Sequence, residues 1–579
     1  MMKRWMFRLI TMTVLLLGLS ISASAATTTE DGFVLEEDSH YGLTVTDYVG
    51  PGGDISVPEG VKRIDSSAFS DNRTIHSVSL PDGLTYIGYG AFSGCSSMKT
   101  INIPNSVTEI GWSAFSGCSS LTSIELPNGI TEIQSSTFSR CSSLTSVNIP
   151  EGVTLIEDRA FFGCSSLPSV NIPEGVTVIN SYTFSGCSSL QSADIPDSVK
   201  SIGEQAFSGC SKLASISMSD NITSIGRSAF SDCSTLSTVE FPRSVTNLAD
   251  SLFYGCTQLT SLDFLPDTVY SIGNEAFAES GLESVVLPAT ITSLGDSAFS
   301  GCENLTSFTV PEEMTLYYCG NNILTDCAAL TTVSIPAEYA AIWDYTFDGC
   351  SSLQSIDIPS GATEASFSDC TSLTDVTLPE SVTSVFFQNC SSLTSIVLPS
   401  AIETIGGNAF SDCTALREIT LPTFLKTIEW NAFLNCTALT NVRLPDGVVS
   451  IGNNAFRLCD NLKSIYIPAS VTTFGSDVFD WRSSVVILGI SGSAAEEYAE
   501  EYGLTFHDTT ASEMTFRFHK GETVRLTAVP DPGYHFVRWE SSTPGVEFSD
   551  PTSATTTFVM PASEVSITAI FEADAPVET

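Results

Sequence analysis

Hydrophobic and polar positions alternate in short stretches that recur along most of the chain. Within residues 121–126, Ile124 and Leu126 are apolar, whereas Ser123 and Glu125 are polar. A period of two residues is typical of a β-strand with one buried face. A proline follows and predicts the end of the strand, because proline has no N–H for the next ladder hydrogen bond.

A turn and a second apolar segment complete this unit. The Asn-Gly pair at 128–129 predicts the turn, and Ile130 and Ile133 are expected to point inward. A second, tight turn then brings Phe138 and Cys141 to the centre. One such unit cannot bury its own apolar face, but stacked neighbours can. We therefore expect parallel strands about 4.8 Å apart in successive coils.

The unit recurs with a period of 23 residues, which separates most neighbouring cysteines of the chain. A phenylalanine lies three residues before almost every cysteine position. A period between 20 and 50 residues indicates a repeat architecture. The predicted fold is a β-rich solenoid of parallel strands with about 23 residues per coil, followed by a small all-β domain. We expect a buried core ladder that includes Phe115, Cys118, Phe138, Cys141, Phe161, Cys164, Phe184, Cys187, Phe207 and Cys210.

The repeated phrase resembles the BspA-like, treponemal-type leucine-rich repeat. That pattern reads approximately Leu-x-x-Ile-x-Leu-Pro-x-x-Val-x-x-Ile-Gly-x-x-Ala-Phe-x-x-Cys, and residues 416–436 match nearly every position. The likeness covers about residues 40–507. It implies a leucine-rich repeat solenoid in a secreted or surface-associated protein, with adhesion to host matrix or to other microbes as the implied role.

Several coils depart from the pattern. Ser280 stands where a cysteine is expected, and the coils that end at Cys370 and Cys390 are 20 residues long. The coil with Cys319 and Leu324 is longer and has leucine in place of the phenylalanine. We expect a kink or a bulging loop there, at about residues 312–327.

The chain ends predict the remaining domains. Residues 1–25 have a basic start, a short apolar run and an Ala-x-Ala site, which is typical of a secretory signal peptide. We assign 26–61 to an N-terminal cap, 62–482 to the solenoid and 483–508 to a C-terminal cap of one strand and one helix. The helix is expected over 494–502, with Ser493 as its N-cap and Gly503 as its stop.

Residues 512–572 predict a small β domain, because they contain no cysteine and alternate as four strands. Residues 531–534 supply a turn between the first two strands. The segment resembles the divergent internalin B-repeat, with matches at 533–534, Trp539, 560–561 and 569–571. The resemblance implies an extracellular accessory module without chemistry of its own.

The net charge of −43 limits the partners. Binding to nucleic acid requires a basic stripe that displaces counterions, so we expect no nucleic acid partner, and anionic lipid surfaces are disfavoured for the same reason. After the signal peptide, no segment is apolar and long enough to span a membrane. We find no calcium-binding loop motif and no catalytic motif, so no catalytic, cofactor or metal site is predicted. We expect a monomer that is not an enzyme.

The cysteines allow two interpretations. Many cysteines in a secreted protein suggest disulfides. A cysteine at the same place in every coil, however, forms a column of parallel side chains that do not converge for bonding. Buried free thiols, packed as small hydrophobic groups, are the other interpretation, with Cys319 as the most reactive candidate.

The outward residues of the strands form the candidate recognition site. The more variable outward column contains the candidate ligand-contact residues Asn102, Glu125, Asn148, Asn171, Asp194, Glu240, Asp263, Arg443 and Tyr466. This column is either a solvated face that prevents aggregation or a long recognition surface. The function hypothesis is a secreted or cell-surface protein that binds extracellular proteins or glycans. The alternative is a spacer that displays other modules.

Overall fold

The structure, a computed structural model, describes residues 26–336, 339, 346–480, 482–509, 523–528, 534–541, 543, 546–559, 565 and 567–573. The predicted signal peptide and the turn residues 531–533 lie outside this set. The chain divides into two compact units. The first comprises Met1–Leu488 and Gly492–Phe506, and the second comprises Gly489–Ser491 and His507–Thr579.

The first unit is the predicted solenoid of parallel strands, which confirms the fold class. It opens with an antiparallel meander of β1 (Thr27–Thr28), β2 (Phe33–Asp38) and β3 (Gly42–Tyr48), and β3 pairs in parallel with the first coil. Most coils then contribute one strand to each of two faces. Each strand pairs in parallel with the equivalent strand of the next coil, so that Glu125 lies beside Asn148.

The first face carries the outward columns. Its strands are β4 (Gly53–Ser56), β6 (Ile75–Ser79), β8 (Thr100–Asn102), β10 (Ser123–Glu125), β12 (Ser146–Asn148), β14 (Ser169–Asn171), β16 (Ser192–Asp194), β18 (Ser215–Ser217), β20 (Thr238–Glu240), β23 (Ser284–Val286), β25 (Ser307–Thr309), β27 (Thr332–Ser334), β28 (Ser355–Asp357), β30 (Asp375–Thr377), β32 (Ser395–Val397), β34 (Glu418–Thr420), β36 (Asn441–Arg443), β38 (Ser464–Tyr466) and β40 (Val486–Gly489).

The second face consists of shorter strands. They are β5 (Arg63–Ile64), β7 (Tyr86–Ile87), β9 (Glu109–Ile110), β11 (Glu132–Ile133), β13 (Leu155–Ile156), β15 (Val178–Ile179), β17 (Ser201–Ile202), β19 (Ser224–Ile225), β21 (Asn247–Leu248), β22 (Ser271–Ile272), β24 (Ser293–Leu294), β26 (Tyr318–Cys319), β29 (Glu364–Ser366), β31 (Ser384–Phe386), β33 (Thr404–Ile405), β35 (Thr427–Ile428), β37 (Ser450–Ile451) and β39 (Thr473–Phe474).

A third side of each coil, which we call the corner, carries the phenylalanine and the cysteine. The backbone there is hydrogen-bonded to the next coil, as from the N–H of Phe115 to the carbonyl of Thr137 (3.0 Å). Most corners need two residues in the left-handed region, such as Ser113 (φ 55°) and Gly117 (φ 73°). The 20-residue coils have one each, Asp369 (φ 61°) and Asn389 (φ 58°). This requirement explains the glycine, asparagine, aspartate and serine found there, which adopt that region most readily.

The core ladder lies at the centre of the coils. From Phe92 to Phe299, neighbouring rings are stacked with centroids 5.4 to 5.8 Å apart. All ten core residues named from the sequence are fully buried. Sixteen thiols donate a hydrogen bond to a carbonyl oxygen of the preceding coil, with Sγ–O distances of 3.0 to 3.3 Å; the acceptor is the phenylalanine or, once, Leu324.

These sixteen buried thiols form no disulfides. Burial raises the pKa of the Cys141 and Cys187 thiols to about 12. The thiolate is the reactive form, so these groups are inert near neutral pH. Cys319 is half-buried on β26, where it occupies the inward position equivalent to Leu294.

The long coil at 312–327 keeps its place in the sheet. Ser293 pairs with Tyr318, and the two extra residues lie between Met314 and Tyr318. Tyr317 in this insertion is 82% exposed. The loop therefore bulges outward while the strand register of the second face continues.

The helix α1 (Ala494–Tyr502) follows β40 and is stopped by Gly503 in the left-handed conformation. Ser493 is the N-cap residue, but its hydroxyl makes no capping hydrogen bond, contrary to the prediction. The carboxylate of Glu496 accepts the N–H of Gly492 instead (2.7 Å). Strand β41 (Thr505–Asp508) comes next.

The second unit contains two antiparallel strand pairs. Strand β42 (Thr523–Thr527) pairs with β44 (Thr555–Val559), and β43 (Tyr534–Ser541) pairs with β45 (Ile567–Ala573). Val524 and Phe558 form its small buried cluster. These strands confirm the predicted small β region. Among the four, the first pairs with the third and the second pairs with the fourth.

Candidate recognition surface

The strands of the first face present two outward residues each. On β10, Ile124 is buried, whereas Ser123 and Glu125 on either side of it are exposed. Because β12 pairs with β10 residue for residue, Asn148 continues the column that Glu125 begins. The pleat and the parallel register together produce rows of exposed side chains that run from coil to coil.

The structure places eight of the nine candidate contact residues on strands of this face. Seven are exposed, namely Asn102, Glu125, Asn148, Asn171, Asp194, Glu240 and Arg443. Tyr466 is half-buried on β38. Register pairs bring Asn171 beside Asp194 and Arg443 beside Tyr466.

Asp263 does not lie on a strand, which corrects the prediction. The N–H of Leu265 donates to the carbonyl of Leu262 (2.9 Å), so this segment turns where a strand was expected. The coil has one extra residue, since Phe277 follows Phe253 by 24 positions. Phe264 uses the added length to pack edge-on against Phe253, with centroids 5.4 Å apart. Asp263 is exposed in this turn, and the column is interrupted between β20 and β23.

The part of the column before this interruption is polar and acidic. A shallow depression of about 560 Å³ is lined by Asp194, Asp197, Asp220 and Glu240 together with neighbouring serines. Within it, the Ser217 hydroxyl donates to the Glu240 carboxylate. A similar depression of about 520 Å³ lies at the start of the face and includes two candidate residues, Asn102 and Glu125. Open, polar depressions of this kind suit a polar partner better than a buried small molecule.

The part of the column after the interruption has a different character. Val286 and Val397 are 66% and 67% exposed. The guanidinium of Arg443 lies over the ring of Tyr466, 4.0 Å from its centroid. Arginine and tyrosine are enriched among residues that dominate binding energy at protein interfaces. This stacked pair was not predicted, although two column residues 23 positions apart could have indicated it.

Neither clusters of metal-ligating side chains nor long apolar helices are found in the part of the chain that the structure describes. No group of three or more histidine, cysteine, aspartate or glutamate side chains there is placed to hold a metal ion. No helix among these residues is long and apolar enough to cross a bilayer.

A family model for the BspA type leucine rich repeat region matches residues 53–168, 154–283, 270–386 and 380–490. The chain belongs to the BspA-type leucine-rich repeat family. A second model, for the divergent InlB B-repeat domain, matches residues 502–575. Both resemblances noted in the sequence are thereby confirmed. Leucine-rich repeat solenoids are typically binding or scaffold proteins rather than enzymes.

Solved bacterial leucine-rich repeat structures are similar to this chain. A leucine rich cell surface protein of Faecalibacterium prausnitzii is 28% identical, with 68% of this chain and 94% of that chain covered and a TM-score of 0.37. A leucine-rich repeat protein of Bacteroides ovatus is 24% identical, with 79% and 100% covered and a TM-score of 0.36. The pneumococcal vaccine antigen PcpA is 17% identical, with 84% and 98% covered and a TM-score of 0.26. No curated protein matches the chain.

Proposed function

We propose that this protein is a secreted or cell-surface binding protein whose first face contacts proteins or glycans of a host matrix or of other cells. The observation that carries the proposal is the column of exposed residues on that face, held in register by parallel strand pairing. Solenoids commonly use such extended surfaces for recognition. In this proposal residues 1–25 are removed as a signal peptide, and residues 26–61 and 483–508 cap the array.

The composition of the column supports an extended contact rather than one pocket. Before the interruption it offers carboxylates and amides, which favour hydrogen-bonding or cationic partners. After the interruption it offers the Arg443–Tyr466 pair and two exposed valines, which suit a less polar contact. A spacer would need a soluble face, but it would not need an arginine stacked on a tyrosine at that face.

A solid-phase screen tests the proposal. The chain 26–579 is immobilised and exposed to matrix proteins, mucins and bacterial cells at micromolar concentration. We expect at least one partner to be retained above an inert control protein. Retention of no partner would remove the binding role and leave the spacer as the function.

Charge-matched variants then locate the contact. The double variant Glu125→Ser/Asp194→Ser changes the column, whereas Glu151→Ser/Glu174→Ser changes exposed turn residues by the same charge. Serine already occupies the column at Ser217, so the fold should tolerate it. For a partner bound before the interruption, the column variant should weaken binding about tenfold or more and the turn variant less than about twofold.

The same comparison is made for a partner bound after the interruption. There the variant is Arg443→Ser/Tyr466→Ser, measured beside Arg457→Ser, which removes the same charge at an exposed turn residue. Equal effects of column and turn variants for every retained partner would place the contact elsewhere on the molecule.

A further inference from the structure

Two exposed aromatic rings on neighbouring corners of the solenoid are in contact, with their planes inclined by 32°. Tyr89 and Trp112 each lie three residues before a core phenylalanine. Their ring centroids are 3.8 Å apart, yet the residues are 39% and 51% exposed. The N–H of Gly90 donates to the carbonyl of Trp112 (3.0 Å), so the corner hydrogen-bond ladder joins the two coils directly.

The fold does not require aromatic rings at this corner position. In most other described coils the position holds small, polar or charged residues, namely Ser66, Ser135, Asp158, Ser181, Glu204, Arg227, Asp250, Asn274, Asp296, Asn321, Gly407, Asn453 and Ser476. Trp430 is an aromatic exception, and the residue before it in this column is Gly407, so it has no aromatic neighbour there. The corner hydrogen bonds persist without aromatic residues, as from the N–H of Ser113 to the carbonyl of Ser135 (2.9 Å). The two rings are therefore a feature of this surface and not of the repeat.

The surroundings of the ring pair are polar. Ser66 precedes Tyr89 in the corner column and Ser135 follows Trp112, so a short hydroxyl side chain flanks the pair on either side. Between residues 62 and 136, all within the described part, no other large hydrophobic residue is exposed. The apolar area is thus limited to two rings, far below the ~800 Å² that each partner buries in a typical protein–protein interface.

We propose that Tyr89 and Trp112 form a binding site for neutral pyranose oligosaccharides. The C–H groups on one face of a pyranose are apolar and carry slight positive charge, and an aromatic face carries negative potential. A sugar ring can therefore stack on the exposed rings while its hydroxyl groups exchange hydrogen bonds at the edge. On the flanking coils, Ser66 supplies a hydroxyl group for such bonds, and the Ser135 hydroxyl, which donates to the carbonyl of Asp158 (3.0 Å), can accept one.

Charge decides which carbohydrates fit. Carboxylates occur at Asp65 on the coil before Tyr89, at Glu109 on the coil of Trp112, and at Glu157 and Asp158 two coils after Trp112, and the whole chain has a net charge of −43. Sulfated or uronic acid-containing glycans would be repelled by these groups. The site therefore selects uncharged sugars.

This inference rests on the proposed extracellular binding role, but it uses corner residues instead of the first-face column. The two proposals can fail separately. If the column variant Asn102→Ser/Glu125→Ser abolished sugar binding while Trp112→Ser left it unchanged, the sugar would lie on the first face. That result would overturn the corner site and support the column.

The test measures sugar binding to the chain 26–579 by saturation-transfer NMR and calorimetry. The probes are cellohexaose, maltohexaose and mannohexaose, with a hyaluronan hexasaccharide as the anionic comparison. We expect at least one neutral probe to bind with a millimolar or lower Kd, and hyaluronan not to bind. Absence of binding by all three neutral probes at millimolar concentration, or binding of hyaluronan alone, overturns the proposal.

Serine variants connect the binding to the two rings. Trp112→Ser and Tyr89→Ser introduce the residue that the flanking coils use, so an unchanged melting temperature is expected. Each variant should weaken binding about tenfold or more. If one variant lowers the melting temperature, the other decides the test.

Trp430→Ser is the matched control. Trp430 is the other exposed tryptophan at this corner position, and its ring is packed onto Gly407, where an added Cβ would lie 2.4 Å from the ring. This control should change the affinity less than about twofold. Affinities that are equal in Trp112→Ser, Tyr89→Ser and the parent chain contradict the site.

Discussion

Residues 62–256 and residues 257–336 build the same kind of interior from different sequences. In the first stretch every coil spans 23 residues and supplies a phenylalanine and, from Cys95 onwards, a cysteine. In the second stretch one coil gains a residue before Pro266 and ends with Ser280 in place of cysteine, and a later coil has Leu324 in place of phenylalanine. Ser280 and Leu324 are nevertheless buried, and Leu324 belongs to the continuous hydrophobic core.

The difference shows what a coil must keep. The corner hydrogen bonds continue through the irregular stretch, from Phe253 to Ala276 (2.8 Å) and from Phe299 to Ile323 (3.0 Å). The parts of the coils that form the two faces change instead. A turn at 261–265 replaces a strand of the first face, and a bulge at Tyr317 precedes a strand of the second face. Because a solenoid is stabilised by contacts between neighbouring coils, a fixed coil length is less important than a filled centre and a complete corner.

The largest expected effect is alkaline unfolding through the thiol column. Burial raises the pKa of buried thiols such as Cys187 to about 12, above the ordinary value of 9.0. The folded chain therefore keeps protons that the unfolded chain releases above pH 9. The free energy of unfolding should fall as the pH rises from 9 towards 12, by about 1.4 kcal/mol per pH unit for each such thiol.

Circular dichroism and thiolate absorbance at 240 nm, followed together, measure this effect. Thiolate absorbance should rise only as the β-structure signal is lost. Cys302 in the irregular stretch provides a comparison with Cys187 in the regular stretch. Ser280 interrupts the column of thiols next to Cys302, and burial raises the pKa of Cys302 only to about 11. Thiolates that form near pH 9 in a chain with intact circular dichroism would show that the column is accessible to solvent.

The next largest effect is expected from removing a phenylalanine ring. We compare Phe207, in the core ladder, with Phe264, in the turn at 261–265. Phe207 is fully buried between stacked neighbours, whereas Phe264 is half-buried in the turn. Phe207→Ala should lower the free energy of unfolding by about 3 to 5 kcal/mol because it leaves a cavity. Phe264→Ala should cost about 1 to 2 kcal/mol, since part of that ring is already in contact with water.

Urea unfolding of both variants gives the two free energies. Ser123→Ala on the exposed first face is the control and should change the free energy by less than about 0.5 kcal/mol. A loss below 1 kcal/mol for Phe207→Ala would contradict the ladder. Equal losses for the two phenylalanines would mean that the turn is as essential as the centre.

The repeat and its buried core could be predicted from the sequence alone, because a 23-residue period places the same residue type at the same depth in successive coils. The prediction failed at Asp263 for a physical reason. The segment Leu262-Asp-Phe-Leu-Pro266 satisfies an alternating strand with an extra apolar residue, and only packing against Phe253 reveals that it turns.

Contacts between coils were harder to predict than positions within a coil. The hydrogen bond from Cys118 to the carbonyl of Phe92 depends on backbone orientation at the corner, which the residue pattern does not specify. The contact between the rings of Tyr89 and Trp112 is different. Two aromatic residues separated by one period must be neighbours, so reading each column along the array would have found this pair.

The smallest expected effect concerns the break in the thiol column itself. Ser280 is buried, and its hydroxyl lies 3.3 Å from the Cys302 sulfur. Ser280→Cys should stabilise the chain by less than about 1 kcal/mol, because sulfur fills more of the apolar centre and desolvates less polar surface. The reverse change in the regular stretch, Cys233→Ser, should destabilise by about 1 to 2 kcal/mol, since a hydroxyl then replaces sulfur between two buried thiols.

Urea midpoints measured under reducing conditions compare these two substitutions directly. A gain in stability for Ser280→Cys together with a loss for Cys233→Ser would show that both stretches impose the same apolar environment on this position, even though the residue differs. If Ser280→Cys destabilised the chain by more than 1 kcal/mol, the shortened coil around Gly281 would have adapted to the smaller hydroxyl. An added Cβ at Gly281 would lie 2.0 Å from the Thr257 carbonyl oxygen, so this coil has little room to move and the volume of the side chain at 280 decides the sign.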